Sequence, residues 1–212
     1  DIRPGVHEID RNQKLIGHLT GFKPAMPRLY PTAADRQSVT QWQVDDEGRR
    51  RPYVCLAPTS VWFTKQWGRE RWVELIGKLP EHLVVYLLGA PADRDACDWI
   101  LRKSGAPRVR NLAGELTFLQ SAALMKEAVM SYVNDSAPMH LASAVDAPVT
   151  AIYCSTLPSF GFGPLSSKSR VVETREKLDC RPCGLHGHRQ CPKGHFKCSS
   201  GIQVDQLLET LN

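Results

Sequence analysis

Short apolar runs that alternate with amphipathic helical patterns constrain the fold of this chain more than any other feature of its sequence. Each run is five or six residues long and almost wholly apolar, which is typical of a strand buried on both faces of a sheet. The runs cover residues 53–57, 83–88, 129–133 and 149–153. Between them, apolar spacing predicts helices over residues 69–79, 93–103, 117–127 and 138–145. This alternation predicts a doubly wound α/β domain, in which helices cover both faces of a parallel sheet.

The first 50 residues differ from the rest of the chain. They contain one short amphipathic stretch around Leu15 and Leu19, and three prolines then interrupt the sequence. We therefore expect residues 1–50 to form an arm or linker with one short helix, and residues 51–212 to form the α/β domain. The chain begins with Asp1 and shows no signal-peptide pattern. It is therefore expected to be a piece of a longer protein, with the arm leading from a missing first domain.

Composition and charge exclude some classes of protein and leave others open. The 212 residues are 42% hydrophobic, which suffices for a sizeable core. The longest apolar run, residues 83–88, is far short of the roughly 18 residues that span a membrane. The net charge of +5 permits anionic partners such as nucleotides, phosphorylated lipids or nucleic acid. The basic excess is strongest over residues 168–198, where eight Lys and Arg residues face three acidic ones.

The seven cysteines fall into two groups. Cys55, Cys97 and Cys154 lie in apolar stretches and are expected to be small core residues. The other four form a cluster near the C-terminus, separated by two, seven and six residues; they are Cys180, Cys183, Cys191 and Cys198. An odd number of cysteines without a secretory signal favours a reducing compartment.

Four clustered thiolates are the ligand set of a closed, tetrahedral structural zinc site. Glycines and prolines among the four cysteines suit the tight turns of such a site. Free thiols in a loop and two disulfides are the alternatives, and the expected reducing compartment disfavours disulfides. A catalytic metal is disfavoured because metals that act on phosphates or sugars prefer oxygen ligands.

The ends of the predicted strands indicate where a ligand would bind, because open α/β sheets bind ligands beyond the carboxyl ends of their strands. Residues 134–140 give the most specific pattern. Asp135 or Ser136 can cap the helix that follows, and Pro138 suits its first turn. The free N–H groups of that turn, which belong to Ala137, Met139 and His140, would form an anion site. The side chains of His140 and Lys65 could add further donors to it. The alternative is a plain capped helix with a packed histidine.

Two common nucleotide-binding motifs are missing from the sequence. Residues 161–165 resemble half of a dinucleotide-binding loop, but Pro164 and the lack of a third glycine do not fit. No phosphate-binding loop of the G-x-x-x-x-G-K-[ST] type occurs. The missing motifs therefore disfavour a nicotinamide-dependent dehydrogenase and a P-loop NTPase.

Four segments, in the same order along the chain, resemble the C-terminal half of the glycosyltransferase family 9 enzymes, the ADP-heptose:lipopolysaccharide heptosyltransferases. They are Thr-Lys-Gln-Trp at 64–67, Leu-Gly-Ala-Pro-Ala-Asp at 88–93, Asn-Asp-Ser-Ala-Pro-Met-His-Leu-Ala at 134–142 and Cys-Ser-Thr-x-Pro at 154–158. The resemblance implies one Rossmann-like half of a GT-B fold, whose C-terminal domain binds the ADP-sugar donor. It also places the catalytic base on the N-terminal domain, so the base is expected outside this chain.

The resemblance implies a set of donor-binding residues: Thr59, Ser60, Lys65, Asp93, Leu116, Asp135, Ser136, Ala137 and His140. Lys65 and the two hydroxyls would meet the pyrophosphate, together with the helix terminus formed by Ser136, Ala137 and His140. Asp93 would meet the ribose, Leu116 the adenine and Asp135 the donor sugar. The sequence departs from the family at Ala137, where glycine is usual, and at Asp93, where glutamate is commoner.

The implied function is the donor-binding domain of an inverting glycosyltransferase, which transfers heptose or a related sugar to the lipopolysaccharide core. The implied partners are an ADP-sugar and the core or lipid A acceptor, with no catalytic cofactor and no nucleic acid. The implied location is cytoplasmic, with peripheral contact to the inner membrane. Two alternatives are a catalytically inactive sugar-nucleotide-binding domain and a zinc-stabilised nucleic-acid-binding module that uses the basic segment 168–198. The second lacks the exposed aromatic residues that single-strand binders use, with only Phe196 near its basic residues.

Overall fold

A six-stranded parallel sheet forms the centre of the computed structural model, which describes residues 5–211. The strands run in the order β3-β2-β1-β4-β5-β6. They are β1 (Tyr53–Ala57), β2 (Val84–Leu87), β3 (Val109–Asn111), β4 (Met130–Asn134), β5 (Val149–Tyr153) and β6 (Ser169–Glu173). The helices are α1 (Glu8–Thr20), α2 (Ala33–Gln43), α3 (Arg69–Lys78), α4 (Arg94–Ser104), α5 (Phe118–Lys126), α6 (Ala137–Ala144), α7 (Lys197–Ser200) and α8 (Val204–Leu208). The predicted doubly wound α/β sheet is confirmed.

Helices cover both faces of the sheet, and the central strand shows why its sequence is apolar throughout. Val54 and Leu56 of β1 pack into one core, with α3, α4 and α8. Tyr53, Cys55 and Ala57 pack into the other, with α2, α5 and α6. A strand buried on both faces cannot alternate apolar with polar residues.

The strand order places a crevice between β1 and β4. From these two neighbours the chain winds outward in opposite directions, so the connections that follow them leave toward opposite faces of the sheet. Ala57, the last residue of β1, pairs with Val133, next to the last residue of β4. The loops after β1 and β4 therefore begin side by side at the topological switch point, where doubly wound sheets bind their ligands.

The four strands and four helices predicted between residues 53 and 153 are present, with ends shifted by no more than two residues. Thr117 caps α5: its hydroxyl accepts from the N–H of Gln120 at 3.2 Å, and the Gln120 side chain accepts from the N–H of Thr117 at 2.9 Å. The sequence did not predict β3 and β6. Both are edge strands with exposed residues, and they lack the continuous apolar run of a central strand.

The described part of the predicted arm contains two helices rather than one. The unexpected helix, α2, begins with a capping box in which Thr32 and Asp35 accept from each other's backbone N–H. It packs against α5 and buries Val39 completely. The hydroxyl of Tyr86 also donates to the carbonyl of Trp42 at 2.6 Å. The division of the chain at residue 50 stays a prediction, and residues 1–4 and 212 lie outside the described residues.

Helix α1 docks by its N-terminal end on the segment that follows β5. The N–H of Glu8 donates to the carbonyl of Gly161 at 2.8 Å, and the Arg11 guanidinium donates to that of Phe160 at 3.0 Å. The N-cap residue His7 contacts the carbonyl of Gly163 at 3.1 Å through Nε2. Between residues 5 and 211, no helix has the length and hydropathy required to cross a membrane.

Candidate functional site

Three loops meet on the carboxylate of Asp135, at the carboxyl ends of the central strands. The ammonium of Lys65, from the loop after β1, lies 2.7 Å from Asp135 Oδ2. The hydroxyl of Thr156, from the loop after β5, donates to the same oxygen at 2.7 Å. Both charged side chains are largely buried, with 17% of Lys65 and 8% of Asp135 exposed. The structure thus brings together two residues that are 70 positions apart, and places a cation and an anion at the switch point.

Asn134 fixes the loop that carries Lys65. Its side chain is fully buried, with Oδ1 accepting from the N–H of Trp67 at 3.0 Å and Nδ2 donating to the carbonyl of Pro58 at 2.8 Å. One side chain on β4 therefore ties both ends of the loop after β1. The sequence pattern did not predict this role. The one available indication was a polar amide at the end of a mostly apolar strand.

The two predicted hydroxyl residues after β1 lie beside Asp135. The hydroxyl of Ser60 donates to the carbonyl of Asp135 at 3.4 Å, and the carbonyl of Ser60 accepts from the Gln66 side chain at 2.7 Å. Thr59 precedes it, and its carbonyl lies 3.5 Å from the amide nitrogen of Asn134. Both side chains are partly exposed, and they are therefore accessible to a ligand in the crevice.

The N-terminus of α6 differs from the expected capped helix. Ser136 occupies the N-cap position, but its side chain makes no capping hydrogen bond and instead donates to the carbonyl of Asn134 at 3.3 Å. The Asp135 carboxylate is held by Lys65 and Thr156. The expected cap by either side chain is therefore wrong, because both are used elsewhere. The N–H of Met139 is not free either, since it donates to the carbonyl of Ser136 at 3.1 Å.

This arrangement leaves the positive end of α6 without a side-chain cap, next to the Lys65 ammonium. Ala137 is the first residue of the helix and is exposed. His140 lies in the first turn, and loss of solvent around its ring lowers the pKa of the imidazole. The charge of Asp135 opposes this effect, whereas those of His7 and Lys65 add to it. These surroundings favour the neutral imidazole, which presents one N–H donor.

Asp93 and Leu116 lie at the ends of β2 and β3. Asp93 Oδ2 accepts from the N–H of Ala90 at 2.7 Å, and so closes the turn before α4. Gly89 allows this turn, because a Cβ there would lie 2.7 Å from the Cβ of Asp93. The N–H of Gly114 donates to the carbonyl of Gly89 at 2.9 Å, which joins the two segments, and Leu116 packs against the core nearby. Between residues 5 and 211, no hydrogen bond links Asp93 or Leu116 to the cluster of Lys65, Asp135 and Thr156.

Arg181, in the basic segment, turns inward. Its guanidinium donates to the carbonyls of Cys154 and Thr156 at 2.6 and 2.9 Å, and contacts the carboxylate of Glu173. It therefore secures the loop that presents Thr156 to Asp135. At least this member of the basic segment serves the fold rather than a charged surface for nucleic acid.

All four clustered cysteines border one cavity of about 20 Å³, a volume that admits a single water-sized atom. The thiol of Cys198 is buried, and burial together with the neighbouring thiols raises its pKa to about 11. Cys191 Sγ accepts from the N–H of Phe196 at 3.4 Å, and Cys180 Sγ lies 3.8 Å from His195 Nε2. Across residues 5–211, no three His, Cys, Asp or Glu side chains already form a ligand set. The thiols share one cavity, but zinc would require them to turn toward a common point.

Comparison with known proteins identifies the family of this chain. The sequence model of Glycosyltransferase family 9 (heptosyltransferase) matches residues 1–194. Lipopolysaccharide heptosyltransferase 3 of Escherichia coli (strain K12) is 31% identical over 157 residues, which cover 72% of this chain and 45% of that protein.

Two solved structures share the fold. The E. coli ADP-heptose lps heptosyltransferase II is 26% identical with a TM-score of 0.69, covering 90% of this chain and 54% of the other. The E. coli heptosyltransferase WaaC with ADP is 20% identical with a TM-score of 0.65, and the match covers 100% of this chain and 58% of the other. The chain spans about half the length of the relatives it matches. With nearly all of its sequence matched by the family model, the chain belongs to glycosyltransferase family 9.

Proposed function

We propose that this chain is the donor-binding part of an inverting glycosyltransferase, which transfers heptose or a related sugar from an ADP-sugar to the lipopolysaccharide core. One observation carries the proposal. The ammonium of Lys65 and the uncapped N-terminus of α6 lie together at the switch point of a doubly wound sheet. Two positive features in one crevice favour a ligand with adjacent negative charges, such as a diphosphate. Two comparisons support this choice: a relative is a heptosyltransferase, and a protein of the same fold has been solved with ADP.

The diphosphate would replace Asp135 as the partner of Lys65, or share the ammonium with it. The ammonium has three N–H donors, so it can keep the bond to Asp135 and still donate to a phosphate oxygen. The hydroxyls of Thr59 and Ser60, the N–H of Ala137 and the ring of His140 would supply the remaining donors. Thr156 keeps Asp135 oriented during this exchange, because its hydroxyl bond does not involve Lys65.

The nucleoside and the sugar would occupy opposite sides of the diphosphate. Asp93 uses Oδ2 to close its turn, which leaves Oδ1 as an acceptor for a ribose hydroxyl. Leu116, in the segment joined to that turn, would contact the adenine. Asp135 would lie near the donor sugar, where its carboxylate can accept from sugar hydroxyls.

The proposed chemistry is displacement at the anomeric carbon. An acceptor hydroxyl attacks that carbon, the bond to the diphosphate oxygen breaks, and a base on the first domain takes the hydroxyl proton. Negative charge then grows on the leaving diphosphate. Lys65 and the amide dipoles of α6 are fixed before the reaction, so they stabilise that charge without reorganising. We place the base and the lipopolysaccharide acceptor on the first domain, and the protein in the cytoplasm with peripheral contact to the inner membrane.

We further propose that Cys180, Cys183, Cys191 and Cys198 hold a structural zinc ion. The shared cavity and the N–H donated to Cys191 Sγ support this assignment, because zinc thiolates commonly accept such bonds. Zinc would stabilise the loop by cross-linking it and would take no part in sugar transfer.

Calorimetric titration of the 212-residue chain with ADP-heptose tests the proposed function. One molecule is expected to bind per chain, ADP is expected to compete for the same site, and no sugar transfer is expected without the first domain. A chain that binds neither compound contradicts the proposed donor site. Transfer by this chain alone would contradict the placement of the base.

A further inference from the structure

The segment that contains the four cysteines is bonded directly to the residue before Lys65. Thr64 is almost fully buried, and its hydroxyl oxygen accepts from the N–H of His188 at 2.7 Å and from the hydroxyl of Ser155 at 3.1 Å. The N–H of Thr64 donates to the carbonyl of His188 at 3.1 Å. These two bonds, one to the Thr64 hydroxyl and one from its backbone N–H, join the Lys65 loop to the stretch between Cys183 and Cys191.

Close packing strengthens this junction. Gly187 has φ +79°, and a Cβ there would lie 2.9 Å from Thr64 Oγ1 and 3.3 Å from Lys65 Cγ. The rings of Phe63 and Phe196 pack with their centroids 5.0 Å apart. At Gly187 the Cys-rich segment therefore contacts the Lys65 loop directly.

The other side of Lys65 is attached to the end of the same segment. Ser199, which follows Cys198, accepts from the N–H of Gly68 at 3.2 Å and donates to the carbonyl of Gln66 at 3.3 Å. The indole N–H of Trp67 donates to the carbonyl of Ile202 at 3.2 Å. Lys65 is thus held on both sides by chain that flanks the cysteines.

The stretch from residue 174 to residue 196 contains no helix or strand. Its shape therefore depends on cross-links, hydrogen bonds and packing rather than on a regular backbone ladder. Four zinc–thiolate bonds would fix its conformation, and through Thr64 and Ser199 they would fix the loop that carries Lys65.

We propose that the Cys-rich segment is a metal-dependent brace for Lys65, so that zinc binding and donor diphosphate binding strengthen each other. The proposal rests on the donor site proposed above. Thr64 acts as a positioning residue, since it holds Lys65 without touching the donor. Coupling between two sites is reciprocal: zinc raises the affinity for ADP, and ADP raises the affinity for zinc by the same factor. We expect a factor of about ten, within the usual range for coupled sites.

The test compares ADP titrations of the zinc-loaded chain and of the chain freed of metal by a chelator. ADP is expected to bind about tenfold more weakly to the metal-free chain than to the zinc-loaded chain. The affinity for AMP is expected to fall less, because Lys65 is assigned to the second phosphate. Zinc titrations with and without ADP should give the same factor. Circular dichroism at the titration temperature confirms that the metal-free chain remains folded.

Variants at Thr64 test the connection itself. Thr64→Val keeps the volume but removes the acceptor for His188 and Ser155, and is expected to weaken ADP binding while zinc content stays unchanged. Thr64→Ser keeps the hydroxyl and should restore affinity. Lys197→Ala, which removes an exposed ion pair with Glu176, is the control and should change neither property.

The outcomes separate the two proposals. ADP affinity that is indifferent to zinc and to Thr64→Val overturns the brace and leaves the donor site standing. A chain that contains zinc but binds no ADP overturns the donor site, and the brace with it. A chain that binds ADP but no zinc overturns the metal dependence.

Discussion

Replacement of Lys65 by alanine is expected to weaken ADP binding by about 1.5–3 kcal/mol, the usual range for a hydrogen bond to a charged group. This corresponds to roughly a 10- to 150-fold rise in Kd. AMP should lose less, because the ammonium is assigned to the second phosphate. Calorimetric titration of both nucleotides measures the difference. Lys78→Ala is the matched control, because Lys78 is a surface lysine at the C-terminal end of α3, where it pairs with Glu74 and Asp205.

The ion pair with Asp135 needs its own control. Lys65→Ala leaves a largely buried carboxylate without its cation, which destabilises the fold as well as the site. The double variant with Asp135→Asn removes that unpaired charge. ADP lacks the sugar that Asp135 is assigned to meet, so the double variant should bind ADP weakly too. Wild-type ADP affinity in either variant would show that Lys65 does not meet the diphosphate.

Removal of zinc is expected to lower the melting temperature of the chain. Zinc should be present at about one ion per chain, as in closed tetrahedral sites. Cross-linking a loop of this size stabilises a protein by about 3 kcal/mol through loop-closure entropy. For a chain of about 200 residues, losing that contribution lowers Tm by roughly 6–12 °C. Differential scanning calorimetry with and without chelator measures the shift.

A pair of cysteine variants distinguishes zinc from the alternatives. Cys183→Ser with Cys191→Ser should abolish zinc content and make the melting temperature insensitive to chelator. Melting that responds to a reductant but not to chelator would indicate disulfides. Metal-free protein with an unchanged Tm in chelator would indicate free thiols and contradict the zinc site.

The parts of the fold that could be predicted from the sequence are those in which local pattern and burial agree. The central strands β1 and β5 were predicted at their observed ends, because both faces are buried and every position favours apolar residues. The edge strands β3 and β6 escaped prediction because solvent on one side permits residues such as Arg110 and Arg170. Helix α2 has few apolar residues, and its capping box was the one local indication of its start.

The sequence likewise predicts some features of the candidate site and not others. In this fold, ligand-binding residues follow the ends of strands, so Lys65, Asp93 and Asp135 could be named from the sequence. Their contacts could not, because the Lys65–Asp135 pair depends on which strands are neighbours. The supporting residues Asn134 and Thr64 are buried polar groups whose partners are distant in sequence. Nothing local distinguishes Thr64 from an ordinary loop residue, and the amide at the end of β4 does not by itself reveal its partners.

A crystal structure of the chain with bound ADP tests the central assignment most directly. We expect the second phosphate to lie within hydrogen-bonding distance of Lys65 Nζ and of the N–H of Ala137, with the ribose toward Asp93. Lys65 should have left Asp135 or be shared with it. A diphosphate bound elsewhere, with the Lys65–Asp135 pair still at 2.7 Å and no phosphate oxygen in its reach, would contradict the proposed donor site.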